Sequence, residues 1–375
     1  MKFLYVASLL AISVCLRASN LDSIGVTVLR QVDSTLQGSG VPVAQVEAPT
    51  STNIPPPFEV NPGSVGQPTN LFTYISSYGI ATGFTNNVGA HSGHADGVAN
   101  NFYGSSAGVA PQITHVTNYE ADFFYNNVIK PLIPNPPAIA AQVVNQSFIF
   151  DQITTNTQAN FEQNYDNYAA QYGTLFVSGV GNGGSTPVSA PASCYNGIGV
   201  ADDDGGSSAG PTYDGRCKPD ITAPGGATSF STPYVAGSAA VLVQAGARGD
   251  GGTNVADATD LRTVKALLLN GAIKPVNWTN GPSSPLDARY GAGVLNVFNS
   301  WEQLRGGEHS FIEAHSFANG SPHPPGANTN NEPVRSGWDF NTIANSGNII
   351  NYQDQVNHYY FNLPSSTGGS FTFTT

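Results

Sequence analysis

PDITAPGGATSFSTPYVAGSAAVL, Pro219 to Leu242, joins a turn to a long helix of small and apolar residues. It opens on a turn rich in Pro and Gly, crosses small residues, and enters an apolar run from Thr232 to Val243. Pro233 suits the first turn of a helix, because its ring presets φ and a first-turn N–H has no intrahelical acceptor. Ala236, Gly237, Ala239 and Ala240 keep that helix thin enough to pack deep in a protein. The spacing places Ser229 just before the N-terminus of a buried helix, where unpaired N–H groups and the positive dipole end favour negative charge near a hydroxyl. Taken by itself, the same stretch also fits a core helix with Ser229 as its cap.

Upstream, strand and helix signals alternate. Val41 to Ala48 (VPVAQVEA) reads as a buried strand, stopped by Pro49 and by Pro55-Pro56-Pro57. Gln112 to Tyr119 reads as a strand, and Ala138 to Phe150 as the end of a helix followed by a strand. Phe161, Tyr165, Tyr168, Ala169 and Tyr172 recur at helical spacing before Gly173, a natural C-terminal stop, and predict a core-facing stripe. Thr174 to Val180 is a further buried strand. The alternation predicts an α/β fold with a mostly parallel sheet, whose sites lie at the carboxyl ends of its strands. Glu47 and Asn182 fall at such ends.

Four segments carry a family likeness. Ala227-Thr228-Ser229-Phe230-Ser231-Thr232-Pro233, then Val235-Ala236-Gly237, resembles the nucleophile segment Gly-Thr-Ser-x-x-x-Pro of the subtilisin-like serine proteases, with Ala227 where that family usually has Gly. His91-Ser92-Gly93-His94, leading to Gly97-Val98-Ala99 and Gly108-Val109-Ala110-Pro111, is similar to their His-Gly-Thr-His-Val-Ala-Gly helix and Gly-Val-Ala-Pro turn. Gly179 to Gly184 resembles their Ala-Gly-Asn segment, and Asn145-Gln146-Ser147-Phe148-Ile149 their substrate-binding strand edge, with Ile149 in place of Gly. Arg216 to Asp220, Thr263 to Ala272 and Tyr290 to Gly293 extend the likeness, which spans roughly Val41 to Leu304.

The resemblance implies a three-layer fold with a central, mostly parallel sheet, and a secreted serine endopeptidase with a Ser-His-acid triad. Ser229 would be the nucleophile, His91 the general base with His94 as its structural partner one turn on, and Glu47 the acid that orients His91. Glu47 stands where the family has Asp and reaches one methylene further; Glu59 and Asp96 are the alternative acids. Asn182 would donate to the oxyanion, and Asn145 and Ser147 would bind substrate. A sedolisin-like enzyme would account for Glu47 but not for the His-x-x-His helix or for Asn at 182. The His-x-x-His pair could also hold zinc, although no HExxH motif accompanies it. The alternative function is a catalytically inactive surface or binding protein on the same fold, suggested by Glu47, Ser92-Gly93, Ala227 and Ile149.

Composition agrees with export. Only 10% of residues are charged, with 13 Lys+Arg against 25 Asp+Glu for a net charge of −12, which disfavours nucleic acid. Residues 1–19 read as a signal peptide: Lys2, an apolar run from Phe3 to Leu16 too short to span a bilayer comfortably, then Ala18 and Ser19. A buried N-terminal helix is the other reading. Its removal would leave a protein with no membrane segment and two cysteines, Cys194 and Cys217, expected to form a disulfide in an oxidising compartment.

The expected division is signal peptide 1–19, a short N-terminal segment 20–40 with no room for a long pro-segment, peptidase domain 41–304, and a β-rich region 305–375 that stops within an apparent strand, as a fragment would. Protein or peptide substrates are the expected partners. No cofactor is required by this chemistry; Asp202-Asp203-Asp204 and Asp250 to Asp257 are candidate calcium loops.

Overall fold

A computed structural model describes residues 19–130, 136–150, 154–184, 187–281, 284–308 and 337–340. Ten strands are present among them: β1 Pro42–Glu47, β2 Pro57–Glu59, β3 Phe72–Ser76, β4 Gly79–Ala81, β5 Ala90–His91, β6 His115–Glu120, β7 Val143–Gln146, β8 Leu175–Gly179, β9 Ile198–Asp202 and β10 Ile221–Ala223. The helices are α1 Asn20–Ser23, α2 Val26–Val32, α3 Gly93–Phe102, α4 Ala121–Phe124, α5 Thr155–Tyr172, α6 Thr228–Ala247, α7 Val255–Ala258, α8 Leu261–Gly271 and α9 Val297–Arg305.

Eight strands form one sheet in the order β10-β9-β8-β7-β1-β6-β3-β4. Every pairing in it is parallel except β3 with β4. The apolar runs of β1, β7 and β8 are buried on both faces, as a parallel sheet covered by helices requires. β2 and β5 make a separate two-stranded ribbon. The α/β class expected from the sequence is the one observed.

α6 is the hub. Nearly all its residues from Ser231 to Gly246 are buried, and it touches β7, β8 and β9 on one side and α3, α8 and α9 on others. Small residues permit this: a Cβ added to Gly237 would stand 2.6 Å from Val109 Cβ, an overlap that costs about 1–3 kcal/mol in a packed core. The helix starts four residues earlier than the apolar run predicted, so Ser229 is its second residue and Pro233 its sixth.

Other boundaries shift modestly. Of Ala138 to Phe150 only Val143–Gln146 is strand, with no helix among its described residues. The aromatic stripe lies on α5, which Gly173 ends with φ of 65°. Residues 20–40 are integral to the packing: Ile24 and Leu29 are buried, Val297 N–H donates to Ile24 O at 2.9 Å, and Arg30 Nη2 donates to the carbonyls of Gly108 and Val109 at 2.9 Å each. The signal peptide expected over 1–19 and most of the β-rich region expected over 305–375 lie outside the described residues.

Candidate active site

Four neighbouring strands each deliver one polar group at or just past their carboxyl ends: Glu47 ends β1, Ser147 follows β7, Asn182 follows β8 and Asp202 ends β9. The N-terminus of α6 meets them there.

Glu47 is 1% exposed. Strand alternation puts Gln45 on the same face, and its Nε2 donates to Glu47 Oε1 at 2.8 Å and to Ala95 O at 3.0 Å. Tyr103 OH donates to Gln45 Oε1 in turn. The second carboxylate oxygen, Oε2, lies 2.8 Å from His94 Nδ1. His94 sits in the first turn of α3, which Ser92 caps through its hydroxyl to Ala95 N–H at 3.3 Å. The hydrogen bond to Glu47 raises the imidazole's pKa above its ordinary 6.5, against the opposing pull of burial. The pairing assigns the proton to Nδ1 and leaves Nε2 as the basic nitrogen.

The expected pairing of Glu47 with His91 does not form. His91 ends β5 with its side chain 48% exposed, and its Nε2 lies 2.7 Å from Asp96 Oδ2. Asp96 also accepts from Asn61 N–H at 2.7 Å, so the alternative acid serves the loop and His91. The ribbon register explains the outcome: His91 belongs to β5, beside Glu59 of β2, while only His94 is carried by α3 over the end of β1. The sequence held the clue. In the family's His-Gly-Thr-His-Val-Ala-Gly helix the first His precedes Val by four positions, and here the residue four before Val98 is His94.

Ser229 is presented by a helix end with an unusual cap. Ala227 is the N-cap and has no side-chain acceptor. Asn182 takes that role from β8: its Oδ1 accepts from Thr228 N–H at 2.9 Å. Phe230 and Ser231 donate back to Ala227 O at 2.9 and 3.1 Å. Among the described residues none accepts from the Ser229 N–H. Because Oδ1 of Asn182 is committed to a donor, its Nδ2 is the end left to donate, and Asn182 itself is exposed.

Pro233 has no N–H to offer the Ser229 carbonyl four residues earlier. Ser147 Oγ donates to that carbonyl at 2.8 Å, while Ser229 Oγ leans on Ser147 O at 3.4 Å. Asn145, expected to bind substrate, is fully buried; its Nδ2 donates to Ser147 Oγ at 3.0 Å, so it supports Ser147 from beneath. Two contacts bind α3 to this end of α6: the His94 and Phe230 rings, 5.7 Å apart, and Asn101 Nδ2 donating to Phe230 O at 3.0 Å. Gly97 makes the approach feasible, since a Cβ there would stand 2.7 Å from Phe230 Cε1.

Asp202, which motif reading did not assign to the site, holds the loop before Ser229 and the first turn of α6 from below. Its Oδ1 accepts from Gly226 N–H at 3.1 Å and from Ser231 Oγ at 2.9 Å, on either side of Ser229. Burial pushes its carboxyl upward in pKa. Asp250 likewise engages Arg248 and the Trp301 indole. Among the described residues no three His, Cys, Asp or Glu side chains converge as a metal site.

The disulfide expected between Cys194 and Cys217 does not form, and both are free thiols. Cys194 belongs to the hydrophobic core, and the nearest polar partner of Cys217 Sγ is Ser284 Oγ at 3.9 Å.

The pattern of the subtilase family matches residues 78–293, over half of the 375-residue chain. Among solved structures, the prenylagaramide maturation protease PagA aligns with a TM-score of 0.50 and 20% identity over 75% of this chain and 98% of its own. A serine-to-alanine mutant of the PatA protease domain aligns at 0.49 with 23% identity, over 74% and 99%. No curated protein matches the sequence. The match contains both histidines, Asn182 and Ser229, and begins after Glu47, which the fold alone brings to His94. With its mostly parallel sheet and buried central helix, the chain belongs to the subtilase family of serine peptidases.

Proposed function

We propose that the chain is a serine endopeptidase in which Ser229 is the nucleophile, His94 the general base and Glu47 the acid that orients it. The observation that carries this reading is the Glu47–His94 contact at 2.8 Å. A buried carboxylate with both oxygens occupied fixes one imidazole tautomer and stabilises the imidazolium that forms when Nε2 accepts a proton. Ser229 Oγ attacks the scissile carbonyl carbon and gives its proton to His94 Nε2. Asn182 Nδ2 and the Ser229 N–H stabilise the oxyanion. His94 then protonates the leaving amine, and water, deprotonated by the same nitrogen, hydrolyses the acyl-enzyme.

The test is labelling of the folded protein by a fluorophosphonate, which reports an activated serine whatever the substrate. The wild type is expected to label, and Ser229→Ala to abolish it. A folded wild type that does not label would favour the inactive surface or binding protein. We also propose secretion, on the grounds of the charged start and apolar run of residues 1–19 and the low charge content. Among the described residues no helix is long and apolar enough to cross a membrane. N-terminal sequencing of protein from the medium is expected to begin near Ser19, and retention of residues 1–19 in the cell-associated protein alone would count against export.

A further inference from the structure

In the reaction proposed above, on which this inference rests, the scissile carbonyl carbon lies against Ser229 Oγ and its oxygen points to the Ser229 N–H and Asn182 Nδ2. The side chain of the residue that owns this carbonyl branches from the adjacent Cα. It therefore enters between the two segments that flank these groups, the stretch leaving Ser147 and the turn leading into Asn182. These segments leave the adjacent paired strands β7 and β8, in register at Gln146 and Ser178, where Ser178 Oγ donates to Gln146 Oε1 at 3.0 Å.

Ile149 occupies the gap between them. Its Cδ1 and Cγ2 each lie 3.4 Å from the point where a Cβ on Gly181 would stand. Gly181, with φ of +96°, carries no Cβ, and the space one would fill is bordered by Ser208 Oγ at 3.1 Å and by Ile149 from the facing segment. Ile149 is 37% exposed, a large apolar side chain at the mouth of the site rather than in the core.

We infer that Ile149 closes the pocket for the side chain on the carbonyl side of the cut, so that the substrates are peptides with glycine, alanine or serine at that position and not leucine or phenylalanine. Ile149 is branched at Cβ and stiff about χ1, so it cannot fold away at small cost.

Three peptidyl diphenyl phosphonates, identical except for an Ala, Leu or Phe side chain next to phosphorus, test this on the full chain, beside a fluorophosphonate that has no such side chain. The wild type is expected to react with the Ala reagent at least about tenfold faster than with the Phe reagent, the scale of one methylene misfitted in an apolar pocket. Ile149→Gly is expected to shrink that ratio by about tenfold or more, and Ile149→Val to relax it partway. Equal rates with Ala and Phe in the wild type would overturn the inference, as would an unchanged ratio in an Ile149→Gly protein that still reacts with the fluorophosphonate. If Ile149→Gly fails to fold, Ile149→Val and the wild-type ratio decide the matter. A folded wild type inert to the fluorophosphonate would remove the nucleophile itself, and this inference with it.

Discussion

Two imidazole–carboxylate pairs stand at the start of α3, three residues apart, and are built on opposite plans. His91 and Asp96 are neighbours in sequence, meet at 2.7 Å, and leave the imidazole half exposed. His94 and Glu47 are 47 positions apart, meet at 2.8 Å, and leave the carboxylate 1% exposed with Gln45 on its other oxygen. The distances are alike; the surroundings are not. A water-exposed pair is screened and free to rearrange, and its net worth is small. A carboxylate held at the end of a central strand cannot follow solvent, so it fixes the tautomer and heading of whatever imidazole it meets.

Removing each imidazole in turn should separate the two pairs by the largest margin. His94→Ala is expected to lower the fluorophosphonate labelling rate by at least about 10³-fold, and His91→Ala by no more than about threefold. Equal losses would mean that the exposed pair takes part in the chemistry.

The next test separates the acid's charge from its shape. Glu47→Gln keeps the side-chain length and is expected to slow labelling by about 10²–10⁴-fold, because the amide can present its N–H₂ to Nδ1 and favour the wrong tautomer. Labelling needs unprotonated Nε2, and Glu47 raises the imidazole's pKa. The wild-type rate should therefore rise with pH about a midpoint above 6.5, and that midpoint should fall in Glu47→Gln. For folding the sign runs the other way: the stability this pair contributes is complete below the unfolded imidazole pKa and is lost as pH rises through the folded one. A midpoint unchanged by Glu47→Gln would separate His94 from its carboxylate.

The smallest effect concerns a third acid. Glu59 lies in register with His91 on the β2–β5 ribbon, yet its side chain is buried, with Oε2 accepting from Asn86 Nδ2 at 3.1 Å. Burial pushes its pKa from 4.5 up to about 7. Between those values the folded state holds a proton that the unfolded state has released, so stability falls as pH rises from 4.5 to 7. Glu59→Gln should remove that fall, on the order of 2 kcal/mol, when urea midpoints at pH 5 and pH 8 are compared. A wild type whose stability is flat across that range would show Glu59 to be better solvated than its burial implies.

Much of this was legible in the residues. β1 and β8 announced themselves as apolar runs ended by Pro or Gly, and both end within two residues of the predicted bounds. The placement of Ser229 on α6 and of Asn182 beyond β8 was legible because local patterns fix it, a small-residue helix and a glycine-rich strand exit. The choice between His91 and His94 was not settled by a repeated His, since which one faces Glu47 depends on where β5 ends and α3 begins. That boundary is set by pairing with β2, a contact some 30 residues away in sequence and invisible to periodicity. The cysteines misled for a related reason: parity counts thiols, whereas the packing turned Cys194 into the core. Asp202 was read as part of a candidate calcium loop and not of the site, because an acidic run gives no sign in sequence that its first member faces inward.

Pro233 has a consequence that reaches past its own helix. By withholding one N–H it releases the Ser229 carbonyl from the helix ladder and hands it to the hydroxyl of Ser147. The strand exit that would align a peptide and the residue that would attack it are thereby gauged against each other by direct bonds between Ser147 and Ser229, not by the summed tolerances of sheet, loop and helix. An imino acid thus acts as a spacer block: wherever the exit of β7 settles, the Ser229 hydroxyl is carried with it.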